Sequence, residues 1–282
     1  MTAESTSAFH VRDVDSSTDA YPTVDGLTVS LADGVLSITM DRPDSLNSLT
    51  EKMLTGIADT VERAGTDDRV RAVRLGGAGR GFSSGAGISD DDLKSASGSS
   101  HHSIIAEANR AARSIAALPK PAVAVVHGPA AGVGVSLALA CDIVLASEKA
   151  FFLLAFTKIG LMPDGGASAL VAAAIGRIRA MRMALLAERI PASEAYELGL
   201  VTAVHPADTF DAEVDKVLTT LVNGPAAALR KTKEAINAAT LTELEGAFVR
   251  ELAGQSELIR SSDFKEGTLA FQQRRTPKFT DS

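Results

Sequence analysis

Ala122-Val123-Ala124-Val125-Val126-His127-Gly128-Pro129-Ala130-Ala131-Gly132-Val133-Gly134-Val135-Ser136 passes from a short aliphatic run through a turn of small residues into a second apolar run, Val135–Cys141. The first run reads as a buried strand and the second as a helix, so the stretch is a strand–loop–helix unit. Gly132-Val133-Gly134 immediately precedes the helix. Free backbone N–H groups are therefore expected at its N-terminus, the end that carries partial positive charge and suits an anion. Small residues let those groups approach a ligand closely.

A second turn of this kind lies upstream, after the strand-like run Val70–Leu75. It is Gly76-Gly77-Ala78-Gly79-Arg80-Gly81-Phe82-Ser83-Ser84-Gly85-Ala86-Gly87. Neither turn contains Gly-Lys-Ser/Thr, which excludes a P-loop, and neither fits G-x-G-x-x-G, so a dinucleotide fingerprint is missing. Glycine-rich loops more often make only tight turns. Two of them after strands shift the balance toward a ligand.

Further strands are expected at Leu27–Leu31, Val35–Met40, Ile143–Leu145 and Val201–Val204, the first two joined by the turn Ala32-Asp33-Gly34. Leu49, Met53, Ile57 and Val61 repeat at a helical spacing within Leu49–Arg63. Helical runs follow near 166–174, 177–187 and 192–197, then at Ala212–Val222, Ala226–Ala238 and Thr242–Leu258. The alternation indicates an α/β core with a helical C-terminal region. The expected divisions are a leader over 1–23, a core over 24–205 and the helical region over 206–282. Asp90–Ser103 reads as a polar loop.

Acidic residues outnumber basic ones by 35 to 28, giving a net charge of −7, and no run of Lys and Arg offers a nucleic-acid track. Residues 1–20 lack the apolar segment of a signal peptide, and apolar stretches elsewhere are interrupted before membrane-spanning length. The single Cys141 fits a reducing compartment, so a cytoplasmic protein away from membranes is expected. Within its apolar run Cys141 reads as a core residue. His127 reads as a packed residue, Asp142 as structural, and the pair His101-His102 as solvated, with no metal-ligand spacing anywhere.

Five ordered motifs then carry a resemblance over most of the chain, from Val24 to Phe279. They are Met40-Asp41-Arg42-Pro43 with Leu46-Asn47-Ser48-Leu49; Arg80 through Ala86; Lys120-Pro121 through Gly134 with Cys141-Asp142-Ile143; Ile159 through Gly166; and Ala195 with Leu198-Gly199-Leu200-Val201. Together they resemble the enoyl-CoA hydratase/isomerase family, the crotonases. The resemblance implies the crotonase fold, an α/β spiral of ββα units with a helical C-terminal region. It also implies an acyl-CoA thioester as substrate, with CoA part of that substrate rather than a cofactor, and a homotrimer or dimer of trimers.

Carried over by position, the family's oxyanion donors are the N–H groups of Ala86 and Val133, where Val replaces the usual Gly. CoA contacts fall on Ser45, Leu46, Ser84, Gly85, Ile88 and Gly132, with Phe271 and Arg274 closing over the nucleotide. Asp44 stands where a basic residue is common. The two Glu positions of the hydratases hold Ser136 and Phe156, neither of which can act as a carboxylate base. Asp164, in Pro163-Asp164-Gly165-Gly166, matches the acidic residue of isomerase-type members. An Asp before an apolar helical run is also an ordinary N-cap. The expectation is a Δ3,Δ2-enoyl-CoA isomerase. A hydratase with unconventional acid/base groups and a non-catalytic acyl-CoA-binding subunit are the alternatives.

Overall fold

The structure is a computed structural model that describes residues 20–87 and 101–280. Most of the leader assigned to 1–23, the polar segment 90–100 and the CoA position Ile88 lie outside the described residues. The hairpin stands where the sequence puts it. β1 (Leu27–Ala32) pairs antiparallel with β2 (Val35–Met40), and Ala32 faces Val35. The two turn residues, Asp33 and Gly34, have φ of 49° and 81°, the left-handed pair that matches strand twist.

Beyond the hairpin every ladder of the main sheet is parallel. β3 (Ala72–Gly77), β4 (Ala122–Val126), β6 (Ile143–Ser147) and β9 (Ala203–His205) complete the order β1-β2-β3-β4-β6-β9. A second sheet contains β5 (Pro129–Ala131), β7 (Phe151–Leu153) and β8 (Ile190–Pro191), and Ser83 adds a parallel bridge to Ala130 at its edge. The chain visits the two in turn. β3 leads through Ser83 to α2 (His101–Ala117), β4 through β5 to α3 (Val133–Ala140), and β6 through β7 to α4 (Ala167–Ile175). Before them, β2 leads through Leu49, bridged to Ala86, to α1 (Glu51–Thr66). This repetition is the spiral of ββα units.

β4 is buried on both faces, as a central parallel strand must be. Its period of two sends Ala122, Ala124 and Val126 into the main core, while Val123 and Val125 meet Phe210, Val214 and Leu218 of α7 (Phe210–Val222). α1 is capped by Thr50, whose hydroxyl accepts from Met53 N–H, and buries Met53, Leu54, Ile57 and Val61.

The rest is helical: α5 (Arg177–Leu186), α6 (Ala192–Leu198), α8 (Ala226–Thr240), α9 (Leu244–Leu258) and α10 (Ser262–Gln272). α9 reaches the main core through Leu244 and Phe248. One expectation is corrected here. Residues 101–103 begin α2 instead of ending the polar loop, and Ile105, Ala108, Ala112 and Ile115 repeat at helical spacing along its buried face.

Candidate active site

Asn47 fastens the first glycine turn. Its Nδ2 donates to the carbonyls of Ala78 and Gly81 at 2.9 and 2.8 Å, and its Oδ1 accepts from Arg42 N–H at 2.9 Å. Ser83, fully buried, donates its hydroxyl to Asn47 O. Leu49 N–H donates to Gly85 O and Gly87 N–H to Leu49 O, so Ala86 between them turns its own N–H away from Leu49. That N–H has no acceptor among the described residues.

The second turn ends at Gly132, whose φ of 53° starts α3 with no side-chain cap. Gly132 N–H donates to Leu153 O, while Val133 N–H, first in the helix, has no acceptor among the described residues. The two turns meet backbone to backbone. A Cβ added at Gly85 (φ 90°) would lie 2.9 Å from Ala131 O and 3.4 Å from Gly132 Cα. The peptide units that carry the Ala86 and Val133 N–H groups therefore start from glycines in mutual contact.

Asp164 is joined to the same helix turn. Ser136, three residues after Val133, donates its hydroxyl to Asp164 O at 2.7 Å. A Cβ at Gly165 (φ 67°) would lie 2.9 Å from Ser136 Cβ and 3.7 Å from Val133 Cγ1. The Asp164 side chain is buried. Gln255 Nε2 donates to its Oδ2 at 2.8 Å, and Oδ1 is buried without a partner. Burial pushes the carboxyl up to about 7, the nearby Glu251 charge pushes the same way, and the Gln255 bond works against both.

Asp164 does not cap α4. Gly166 holds the cap position with φ 81°, and the N–H groups of Gly166 and Ser168 donate to Glu251 at 2.7 and 2.8 Å. The carboxylate that stabilises this helix end thus comes from α9. Glu251 and Gln255 are the residues the sequence reading missed. Their signal was two polar side chains at i and i+4 on the apolar face of α9, beside Ala247 and Phe248.

Phe156 is buried, and its Cζ would stand 3.7 Å from a Cβ at Gly132, so its ring lies at the second turn. Phe152 and Leu154 are buried nearby in sequence. At the other end of the first turn, Ser84 N–H donates to Leu46 O at 2.8 Å and Ser84 Oγ to Ser45 O at 2.9 Å. These three residues and Gly85 are brought together. Phe271, exposed, and Arg274 lie at and beyond the end of α10, which packs on the turn Phe156–Ile159, and neither bonds to Ser45, Leu46 or Ser84.

The remaining candidates are structural. His127 Nε2 lies 2.9 Å from Gly79 O, and Asp142 accepts from Ala122 N–H and Lys233. Cys141 is buried, which raises its thiol pKa and disfavours a thiolate. Among the described residues no group of three His, Cys, Asp or Glu could hold a metal, and no helix is long and apolar enough to cross a membrane.

Residues 30–282 match the family described as Enoyl-CoA hydratase/isomerase. The chain is 36% identical over 249 residues to 1,2-epoxyphenylacetyl-CoA isomerase of Escherichia coli K12, covering 88% of this chain and 95% of that one. It is 38% identical over 251 residues to a probable enoyl-CoA hydratase of Rhodobacter capsulatus, covering 89% and 96%. A crystal structure of an enoyl-CoA hydratase from Mycobacterium avium subsp. paratuberculosis superimposes with a TM-score of 0.86 at 68% identity, over 92% of this chain and all of that one.

Proposed function

The chain belongs to the enoyl-CoA hydratase/isomerase family and is an enzyme of that family, and on this premise we propose that it is a Δ3,Δ2-enoyl-CoA isomerase with Asp164 as proton shuttle. The observation that carries the reading is the buried Asp164 carboxylate, which keeps one oxygen without a partner among the described residues. The other carboxylate near it, Glu251, has both oxygens engaged by backbone N–H groups. Ser136 is tied to a carbonyl and Phe156 does not titrate, so the pair of free carboxylates that would handle a water is missing from these positions.

The chemistry balances without water. Ionised Asp164 takes a proton from C2 of a 3-enoyl thioester, and the electron pair moves to the thioester oxygen. The N–H groups of Ala86 and Val133 donate to that oxygen as its charge grows. Each such donor contributes about 3–4 kcal/mol to the transition state. Asp164 then returns the proton to C4, leaving the double bond between C2 and C3. A base with a pKa of about 7 suits both halves, since it ionises and reprotonates near neutrality.

We assign CoA binding to Ser45, Leu46, Ser84, Gly85 and Gly132, and to Ile88 outside the described residues, with Phe271 and Arg274 over the nucleotide. We also propose a homotrimer or a dimer of trimers. Ile178, Met181 and Leu185 repeat along one exposed face of α5, and Ile236 and Val249 are exposed on α8 and α9, apolar area suited to a second copy. The buried lone thiol fits work in the cytoplasm.

Separate incubation with 3-enoyl-CoA and 2-enoyl-CoA tests the reading. Interconversion with no hydroxyacyl-CoA is expected. Hydroxyacyl-CoA as the main product would replace the isomerase with a hydratase.

A further inference from the structure

Glu251 and Gln255 lie one turn apart on α9, both almost wholly inaccessible, and both reach into the 162–168 segment around Asp164. Buried polar groups of this kind are costly unless each finds a partner. Here they do. Gln255 Oε1 accepts from Met162 N–H at 3.2 Å while its Nε2 donates to Asp164 Oδ2 at 2.8 Å. The Met162 N–H fixes which way the amide points, because a flipped amide would set donor against donor and oxygen against carboxylate. Glu251 holds Gly166 and Ser168 on the other side of Asp164.

We propose that Gln255 is a positioning residue that occupies Asp164 Oδ2 and leaves Oδ1 as the oxygen that exchanges the proton, with Glu251 as the anchor of the loop that carries Asp164. The consequence for turnover rests on Asp164 being the proton shuttle; the control of its ionisation does not. The two α9 residues act in opposite senses. The Gln255 N–H stabilises the ionised form and the Glu251 charge destabilises it, on top of the larger effect of burial. Ser136, the other side chain bonded to this residue, is neutral, its hydroxyl donated to the Asp164 carbonyl. Burial raises the pKa of Glu251 itself, and its bonds from Ser168 and Gly166, with the charge of Arg250 exposed on α9, work against that rise.

The test titrates the Asp164 carboxyl by infrared difference spectroscopy, with its band assigned by loss in Asp164→Asn, and records the pH profile of kcat beside it. Gln255→Leu, similar in size but unable to donate, is expected to move the titration to higher pH by about one unit, a tenfold change in the ionised fraction at low pH. Its kcat should fall by about 10- to 100-fold with little change in KM. Glu251→Gln is expected to move the titration to lower pH. Should Glu251→Gln fail to fold, Gln255→Leu alone decides. An unshifted band in Gln255→Leu overturns the proposal. A shifted band together with an active Asp164→Asn enzyme would keep the α9 holder and remove the isomerase mechanism.

Discussion

The Ser136 hydroxyl donates to the backbone carbonyl of Asp164 across 2.7 Å, both residues buried. The bond ties the helix that starts at Val133 to the loop that carries Asp164.

Breaking it should be felt first in stability. Ser136→Ala removes one buried hydrogen bond and leaves a carbonyl with weaker satisfaction, a loss of about 1 kcal/mol. Urea unfolding followed by circular dichroism measures it, and the variant should still isomerise at a reduced rate.

The contact between the two glycine turns should be intolerant of any side chain. Gly85→Ala forces φ near 90° on a residue with a Cβ and sets that atom 2.9 Å from Ala131 O. Strain of about 1–2 kcal/mol is expected, together with separation of the turns. kcat should fall by about 100-fold, because one oxyanion donor moves out of reach.

The raised carboxyl makes a prediction about pH with two signs. Removal of a proton from C2 needs ionised Asp164, so kcat/KM should rise with pH and level off above about 7. Stability should move oppositely. Folded Asp164 holds its proton up to about 7, whereas the unfolded group loses it near the ordinary 3.8. Between those values the folded state binds more protons, so this group's contribution to stability declines as pH rises through the window and is flat above it. Asp164→Asn, which cannot ionise, should lack that decline in thermal unfolding measured from pH 4 to 8.

An apolar face on α5 predicts assembly. Met181→Asp should lower the mass seen by light scattering after size-exclusion chromatography, with the secondary structure unchanged. A wild-type protein that runs as a monomer at micromolar concentration would contradict the proposed oligomer.

Periodic elements were legible in the sequence. The spacing in α1 and the β-branched runs of β2 and β4 reflect burial on defined faces, and the small residues of the two glycine turns pointed to close backbone approach, which the contact of Gly85 with Ala131 and Gly132 shows. The second sheet was hidden, since strands of two or three residues such as β5, β7 and β8 carry no period. The start of α2 was masked by its polar first residues. The choice between acid and helix cap at Asp164 was equally out of reach locally, because the group that caps α4 lies 85 residues beyond Gly166. Glu251 and Gln255 become meaningful only once α9 folds back onto the loop.

In the proposed reaction a single acid, Asp164, moves the proton. The direct measurement is the rate of 3-enoyl-CoA conversion to 2-enoyl-CoA by Asp164→Asn at pH 8, beside calorimetric titration with a saturated acyl-CoA. A loss of about 10²- to 10⁴-fold in rate with affinity nearly intact is expected if Asp164 moves the proton. A rate within a few-fold of the unaltered enzyme would contradict it.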